Sequence, residues 1–374
     1  MTTSPQFTEF DRRAMARAIE LAERGTRTTQ PNPPVGCVIA RGERIIGEGW
    51  HERAGGPHAE VAALRSLPSE SDAAGATAYV TLEPCSHHGR TPPCVDALIR
   101  AKVAHVVYSV DDPNPQVAGR GAEALRRAGV EVSAGLLAAE AEEVNAGYLM
   151  RRRHGRPFVR VKVGMSLDGR TALADGTSKW ITGEAAREDV QQWRARSAAI
   201  LTGVGTVLTD DPRLDVRLPG AWRQPLRVVL DHNLRTPLSA RLFEADPKPL
   251  IFTANADDER IAAIIAHGAR VERMANGPHR ATNDAASLRA VFARLGELEI
   301  NEVLVEAGST LTGALVRHGL VDELLLYIAP KLLGPQARPL FDLPPLTDLQ
   351  QAQRFRIMEQ RQIGDDLRVR LRPA

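Results

Sequence analysis

The chain is poor in several features that would otherwise suggest a function. Its 374 residues include three cysteines, Cys37, Cys85 and Cys94. That is too few for a disulfide framework, and thiols used this sparingly point to metal binding or catalysis. Aromatic residues make up 4%, little for a protein that stacks single-stranded bases. An excess of one charge is lacking too: 48 Lys+Arg against 46 Asp+Glu leave a formal +2, so a general nucleic-acid binder is not expected. No run approaches the roughly 20 apolar residues of a membrane helix, and the opening Met-Thr-Thr-Ser-Pro-Gln-Phe is not a charged, apolar-cored leader. No membrane partner and a cytoplasmic address follow as expectations. The rest is ordinary: 43% hydrophobic and 25% charged residues describe a globular protein, and the length exceeds a usual single core, so two domains are expected.

Two of the cysteines belong to the most informative pattern. Pro57-His-Ala-Glu60 is followed by Glu83-Pro-Cys85 and, nine positions later, by Cys94. His58, Cys85 and Cys94 supply three ligands for one tetrahedral zinc and leave a fourth position open, the mark of a catalytic rather than a structural zinc. A His-x-Glu ahead of a Pro-Cys pair is the zinc-deaminase signature, with Glu60 as acid/base and not as ligand. A strand over 76–82 and a helix over 93–101 place Cys85 just past a strand and Cys94 in a proline-started helical turn. His58 opens another helix. Cys37, in the apolar run Gly36-Cys-Val-Ile-Ala40, is expected in the core. His87 and His88 are rival ligands, although three are already counted without them.

Apolar spacing predicts a helix over 8–24, a hairpin of strands 35–40 and 44–49, a strand over 105–110, a helix over 121–128, a strand over 130–133 and a closing helix over 140–150. The basic run Arg151-Arg-Arg-His-Gly-Arg-Pro157 reads as a linker, giving domains 1–150 and 151–374. Strands over 157–165, 198–202, 227–230, 249–253, 303–306 and 323–328 follow, then a terminal antiparallel pair. Helices alternating with apolar strands make both halves α/β. The second half has no cysteine. Its two glycine-bearing turns, Leu201-Thr-Gly-Val-Gly205 and Glu306-Ala-Gly-Ser-Thr-Leu-Thr-Gly313, each follow an apolar strand. Exposed N–H groups at the second make a phosphate site plausible.

Pro31-Asn-Pro-Pro-Val-Gly36, Pro57-His-Ala-Glu60 and Thr81-Leu-Glu-Pro-Cys-Ser-His-His-Gly-Arg-Thr-Pro-Pro-Cys94 closely resemble the bifunctional riboflavin-biosynthesis deaminase/reductase family. Asp112-Pro-Asn-Pro115, Ser166-Leu-Asp-Gly-Arg170, Val305-Glu-Ala-Gly308 and Ala329-Pro-Lys-Leu-Leu-Gly334 carry the same likeness through the second half. The resemblance implies an N-terminal cytidine-deaminase-like three-layer domain followed by a C-terminal dihydrofolate-reductase-like domain. One zinc per chain and NADPH would be the cofactors, and small phosphorylated pyrimidines the substrates. The first domain would deaminate 2,5-diamino-6-(ribosylamino)pyrimidin-4-one 5′-phosphate, and the second would reduce the ribosyl group of the product to ribityl.

The resemblance also implies roles. In the first half His58, Cys85 and Cys94 hold zinc, Glu60 transfers protons, and Asn32, His51, His87 and Arg90 hold substrate. In the second, Ser178, Arg194, Leu214, Arg217 and Glu306 meet substrate. Gly164, Trp180, Thr206, Asp210, Gly308, Ser309, Thr310, Leu311, Thr312, Gly313 and Ala314 surround NADPH, with His232 at a position where the family can carry serine. Trp180 could instead fill core. An alternative reading keeps the zinc chemistry but makes the protein a nucleic-acid-editing deaminase with a non-catalytic nucleotide-binding second half. A homo-oligomer is compatible with the sequence, and a preference between NADPH and NADH cannot be read from the residues.

Overall fold

In the computed structural model, which describes residues 7–86, 92–220, 223–274 and 284–374, the first helix, α1 (Glu9–Gly25), starts at a capping box. The Thr8 hydroxyl accepts the Asp11 N–H and the Asp11 carboxylate accepts the Thr8 N–H, which satisfies two donors a helix start leaves open. Strands β1 (Gly36–Arg41) and β2 (Arg44–Trp50) then form an antiparallel hairpin. Gly42 takes the positive φ its turn needs. Helix α2 (Ala59–Arg65), β3 (Thr77–Leu82), α3 (Cys94–Arg100), β4 (His105–Val110), α4 (Arg120–Arg127), β5 (Glu131–Ala134), α5 (Ala138–Val144) and α6 (Ala146–His154) complete the first half.

The five strands pair in the order β2-β1-β3-β4-β5, with β3, β4 and β5 parallel. One face packs on Ala63, Leu64, Leu98 and Leu125 from α2, α3 and α4. The other packs on Met15, Leu21, Val144 and Leu149 from α1, α5 and α6. The result is three layers around one sheet, with the parallel strand ends facing the helix starts. Gly36 is needed where α1 crosses β1, because a Cβ there would stand 1.9 Å from the Ala18 carbonyl oxygen.

Two expectations change. The single closing helix is a pair, divided at Asn145, and the basic run is split: residues 151–154 are the last turn of α6, while residues 155–157 carry the junction between the two units. The physical reason is Arg151, which is buried and donates to the Pro31 carbonyl at 3.1 Å. One arginine of the run is thus structural. The chain divides into two compact units at Gly155 and Arg156.

The second unit contains β6 (Phe158–Ser166), β7 (Arg170–Ala172), α7 (Glu184–Arg196), β8 (Ala199–Gly203), α8 (Val204–Asp210), β9 (Leu226–Leu230), β10 (Leu250–Thr253), α9 (Asp258–Ala266) and β11 (Arg270–Arg273). It continues with α10 (Ala285–Glu297), β12 (Glu302–Val305), α11 (Ser309–Arg317), β13 (Glu323–Ala329), β14 (Arg338–Pro339), β15 (Phe355–Ile363) and β16 (Asp366–Pro373). Nine strands pair in the order β11-β10-β9-β8-β12-β6-β13-β16-β15. They are parallel from β11 to β13, and β16 and β15 add an antiparallel edge. From β8 the chain moves outward to β9, whereas from β12 it moves the other way to β13. The neighbours β8 and β12 therefore form a topological switch point, where open α/β sheets leave a crevice for ligand. Among the described residues no helix is long and apolar enough to cross a membrane.

Arg156 pairs with Asp322 through two contacts of 2.6 and 2.8 Å, and Asp322 also accepts the Val159 N–H. A fragment of residues 156–374 is therefore expected to fold and to melt in one transition by circular dichroism. A fragment of residues 158–374 loses that half-buried pair, worth about 1 kcal/mol, and should melt a few degrees lower, about 2–4 °C for a unit of this size.

Candidate active sites

In the first unit the site forms where two helix starts meet the end of β3. His58 is the residue before α2, Glu60 is in its first turn, and Cys94 is the first residue of α3. Cys85 follows β3 by three residues. Its carbonyl accepts the Val95 N–H and its sulfur accepts the Cys94 N–H at 3.4 Å. His58 Nδ1 lies 3.1 Å from Cys94 Sγ and 3.5 Å from Cys85 Sγ, and the two sulfurs are 3.5 Å apart. With Zn–S of about 2.3 Å and Zn–N of about 2.1 Å, a tetrahedral site separates its ligands by about 3.6–3.8 Å. The donor set and spacing thus fit zinc, and among the described residues this is the group of ligand side chains that could hold a metal.

Glu60 is buried beside these groups. Burial raises its carboxyl above the ordinary range and Cys85 adds to the effect, so the group is biased toward holding a proton. Of the coupled thiols, Cys85 is drawn down to about 4 by the Cys94 thiol and then by His58, while Cys85 and burial hold Cys94 well above its usual value.

His51 stands beside the cluster, its ring 5.4 Å from that of His58. Its Nδ1 faces the Pro57 carbonyl at 2.8 Å and its Nε2 faces the Asn32 amide nitrogen at 3.2 Å. A neutral imidazole satisfies both, donating from Nδ1 and accepting from the Asn32 amide, and burial lowers its pKa in the same direction. The structure thus brings Asn32 and His51 to the zinc-type centre. His87, His88 and Arg90 lie outside the described residues. Cys37 is buried in β1, as its apolar neighbours suggested.

The sequence reading quoted Glu83 beside Cys85 but gave it no role, yet it sets the position of Cys85. Its buried carboxylate accepts the N–H groups of Gly119, Gly121 and Ala122 at 3.0, 3.0 and 3.2 Å. The start of α4 is thereby drawn so close to the cysteine loop that a Cβ on Gly121 would come within 1.9 Å of the Pro84 oxygen.

In the second unit a cavity of about 880 Å³ opens at the β8/β12 switch point. That lies near the upper end of the roughly 300–1,000 Å³ of ligand pockets. Nine of its lining residues are lysine or arginine and three are aspartate or glutamate, which suits a multiply phosphorylated ligand. Gly164, Ser178, Trp180, Arg194, Thr206, Asp210, Leu214, Arg217, His232 and Glu306 all line it. The turn expected to follow β12 is the start of α11, and only Gly308, Ser309, Thr310 and Leu311 reach the cavity. Thr312, Gly313 and Ala314 are buried within the helix, and Gly313 packs on the Asp342 backbone. Trp180 does not fill core: it is 65% exposed, with the Arg187 guanidinium 4.5 Å over its ring.

Glu306 and Arg194 form the floor. They pair through two contacts of 2.6 and 3.0 Å, and Arg194 also donates to the Asp215 carbonyl. Lys162, on β6, stands 3.9 Å from Glu306. Burial alone would raise the Glu306 carboxyl, but Arg194 and Lys162 outweigh it and hold it at about 2. Burial lowers the Lys162 ammonium from its usual value, opposed by Glu306. Lys162 was absent from the sequence reading, although a lysine inside the apolar run Val161-Lys-Val163 was a signal. Arg213 and Arg217 both bond Asp215, at 2.9 and 3.1 Å, a pairing no sequence pattern announced.

Together the sites define a two-domain enzyme, a zinc deaminase in one half and a reductase with a dinucleotide-type cavity in the other. Known proteins agree. A family model described as the cytidine and deoxycytidylate deaminase zinc-binding region matches residues 8–110, and one described as the RibD C-terminal domain matches residues 157–369. The chain is 50% identical over 373 residues to the riboflavin biosynthesis protein RibD of Escherichia coli (strain K12), covering 96% of this chain and 98% of that one. It is 37% identical over 359 residues to RibD of Aquifex aeolicus (strain VF5), covering 96% and 97%. A solved structure of Acinetobacter baumannii RibD superposes with a TM-score of 0.88 at 44% identity, covering 98% and 99%. The chain belongs to the RibD family and is a bifunctional deaminase and reductase of riboflavin biosynthesis. The expected fold class, α/β with a deaminase-like domain ahead of a reductase domain, is the one observed, and the nucleic-acid-editing alternative is not favoured.

Metal analysis of purified variants provides a test of the first site. His58→Ala, Cys85→Ser and Cys94→Ser should each lose most of the zinc, and Cys37→Ser should keep one zinc per chain. Gly121→Ala should also lower zinc retention and cost about 1–3 kcal/mol of stability, as overpacking does, because the added methyl meets backbone beside Cys85.

Proposed function

We propose that the first domain deaminates 2,5-diamino-6-(ribosylamino)pyrimidin-4-one 5′-phosphate, and that the second reduces the ribosyl group of 5-amino-6-(5-phosphoribosylamino)uracil to ribityl. The observation that carries this reading is the convergence of His58, Cys85 and Cys94 beside a buried Glu60, in one chain with a cationic cavity floored by Arg194 and Glu306. The cofactors are zinc in the first domain and NADPH in the second; when bound, zinc activates water for attack on the amine-bearing carbon and NADPH supplies hydride.

His58, Cys85 and Cys94 would hold the metal. Glu60 would take one proton from the attacking water and pass it to the ring nitrogen, then take the second from the hydroxyl of the tetrahedral adduct and pass it to the departing ammonia, a role its raised pKa suits. Asn32 and His51 orient the pyrimidine, with His51 kept neutral by its two hydrogen bonds. In the reductase, with NADPH bound, hydride would reach C1′ of the sugar as the C1′–O4′ bond breaks, and O4′ would need a proton. Lys162 donates that proton, since its lowered pKa eases release. Glu306 holds the sugar hydroxyls and fixes Lys162, and Arg194 keeps Glu306 ionised in a buried place. Gly308, Ser309 and Thr310 present the start of α11 to the cofactor's diphosphate. Near-neutral charge supports small-molecule partners over nucleic acid, and three free cysteines accord with a reducing cytoplasm.

The test follows ammonia release and NADPH absorbance separately. Glu60→Gln should lose about 10²–10⁴-fold of deamination, keep its zinc, and still reduce supplied deaminated substrate at the wild-type rate. Wild-type ammonia release by this variant would remove Glu60 from the mechanism. Lys162→Gln and Glu306→Gln should lose reduction while binding NADPH, by nucleotide fluorescence, within about threefold of wild type, a change of less than 1 kcal/mol. Equal losses of cofactor binding and turnover would place these groups on the cofactor instead.

A further inference from the structure

One carboxylate of the second unit is surrounded by more arginines than it can neutralise. Asp215 is buried, and its two oxygens accept Arg213 Nε at 2.9 Å and Arg217 Nη1 at 3.1 Å. Its carbonyl accepts Arg194 Nη1 at 3.1 Å. Burial lowers the pKa of a fourth arginine, Arg227 on β9, and Asp215 and Asp246 oppose that effect. Among the described residues, Nε and Nη1 of Arg227 have no hydrogen-bond partner. The other acids of this side, Glu244 and Asp246, are exposed, and Glu244 stands 3.7 Å from Arg213. Arg194 is matched by Glu306, which leaves Arg213, Arg217 and Arg227 to share Asp215. Such an excess of guanidinium is what a doubly charged phosphate balances.

The backbone that carries this carboxylate is held on several sides. The Gln191 side chain accepts the Arg217 N–H at 2.9 Å, and Gln224 both accepts from and donates to Val216. Leu214 is buried at a φ of 50°, a left-handed conformation that a leucine takes only at a cost in free energy. Arg213, Leu214 and Arg217 line the cavity, so the pinned segment is one of its walls.

The place of that wall says which anion. Gln191 and Arg194 are about one turn apart on α7, and they hold the Arg217 N–H and the Asp215 carbonyl. The wall therefore abuts the floor. Against burial, the Glu306 carboxyl is held down by Arg194 and Lys162 and, more weakly, by Arg217. In the reductase's substrate the phosphate is a few bonds from C1′, the carbon that must lie beside Lys162 and Glu306. A phosphate on that sugar falls to the nearest cationic wall.

We propose that Asp215 is a positioning residue that holds Arg213 and Arg217 as the two arms of a cradle for the substrate's phosphate monoester. The proposal rests on the reductase reading above. It carries a definite sign. Asp215 by itself repels a phosphate, so removing its charge would tighten binding if the arginines kept their places without it. Positioning requires the opposite outcome.

Reductase kinetics are measured on the full chain, with inorganic phosphate and the dephosphorylated substrate as competitors. Asp215→Asn should raise KM for the deaminated phosphate about tenfold, the loss of one charge-assisted hydrogen bond, and move kcat by less than about threefold. The inhibition constant of inorganic phosphate should rise in step. That of the dephosphorylated compound, and the NADPH dissociation constant read by nucleotide fluorescence, should stay within about threefold. Arg213→Gln should change KM in the same direction, and Arg213→Lys should recover part of the loss. Arg213 is partly exposed, so Arg213→Gln is expected to melt like wild type and decides the matter if Asp215→Asn does not fold. A lowered KM in Asp215→Asn overturns the proposal. So do equal losses for the phosphorylated and dephosphorylated compounds, a parallel loss of NADPH binding, or wild-type kinetics in Arg213→Gln. Wild-type protein that does not oxidise NADPH with the deaminated phosphate would overturn the reductase reading itself.

Discussion

A carboxylate taken out of water loses its hydration at a cost of several kcal/mol unless donors replace it, and both sites are organised around carboxylates that meet this demand. At the floor of the cavity, Glu306 is buried and takes both forks of Arg194. That pair ties α7 to the end of β12 and leaves one side of the carboxylate toward Lys162. In the first unit Glu83 takes three backbone N–H groups at the start of α4, which fixes the loop that delivers Cys85. Neither carboxylate could be exchanged for an apolar residue without releasing the element it holds. A third such centre is architectural. Glu323 is shared by Arg160, Arg370 and Arg372 and binds β6, β13 and β16 across the sheet, with Trp193 packed under the Arg160, Arg368 and Arg370 guanidiniums.

The two halves use the same architectural opportunity for different chemistry. Parallel strands align their carboxyl ends, and the helices that follow start nearby with unpaired N–H groups. In the first sheet, two helix starts carry His58, Glu60 and Cys94 to the end of β3, where ligand softness selects zinc. In the second, the chain reverses direction between β8 and β12. The crevice left there is lined with arginine and lysine, and its chemistry is that of an electrostatic cradle for phosphates. Hydride and proton transfer need positioning more than they need a metal.

The amphipathic helices and apolar strands were legible because each satisfies its period locally: α1 and β4 fall within a residue of their expected bounds. Legibility ended where a local signal had a non-local answer. The basic run after residue 150 looked like a linker because nothing in its neighbourhood reveals that Arg151 reaches Pro31. Trp180 could have been core, yet it is a cavity wall, because the segment that carries it does not cross the sheet. Arg194 and Glu306 were separately expected to meet substrate. Their pairing across 112 positions changes what each can do, since Arg194 is largely committed to keeping Glu306 ionised.

By itself the sequence determined the ligand types, the α/β alternation and the family, and it singled out Glu60 as the candidate proton carrier, because these depend on residue chemistry and on periods short enough to read along the chain. Only the tertiary structure decided that Glu83 and Gly121 hold the cysteine loop, that Lys162 stands beside Glu306, and that Asp215 stands between Arg213 and Arg217. Those relations depend on strand order and on which buried charge finds which donor. Strand order follows from how the whole chain closes its cores, so no local window of residues contains it.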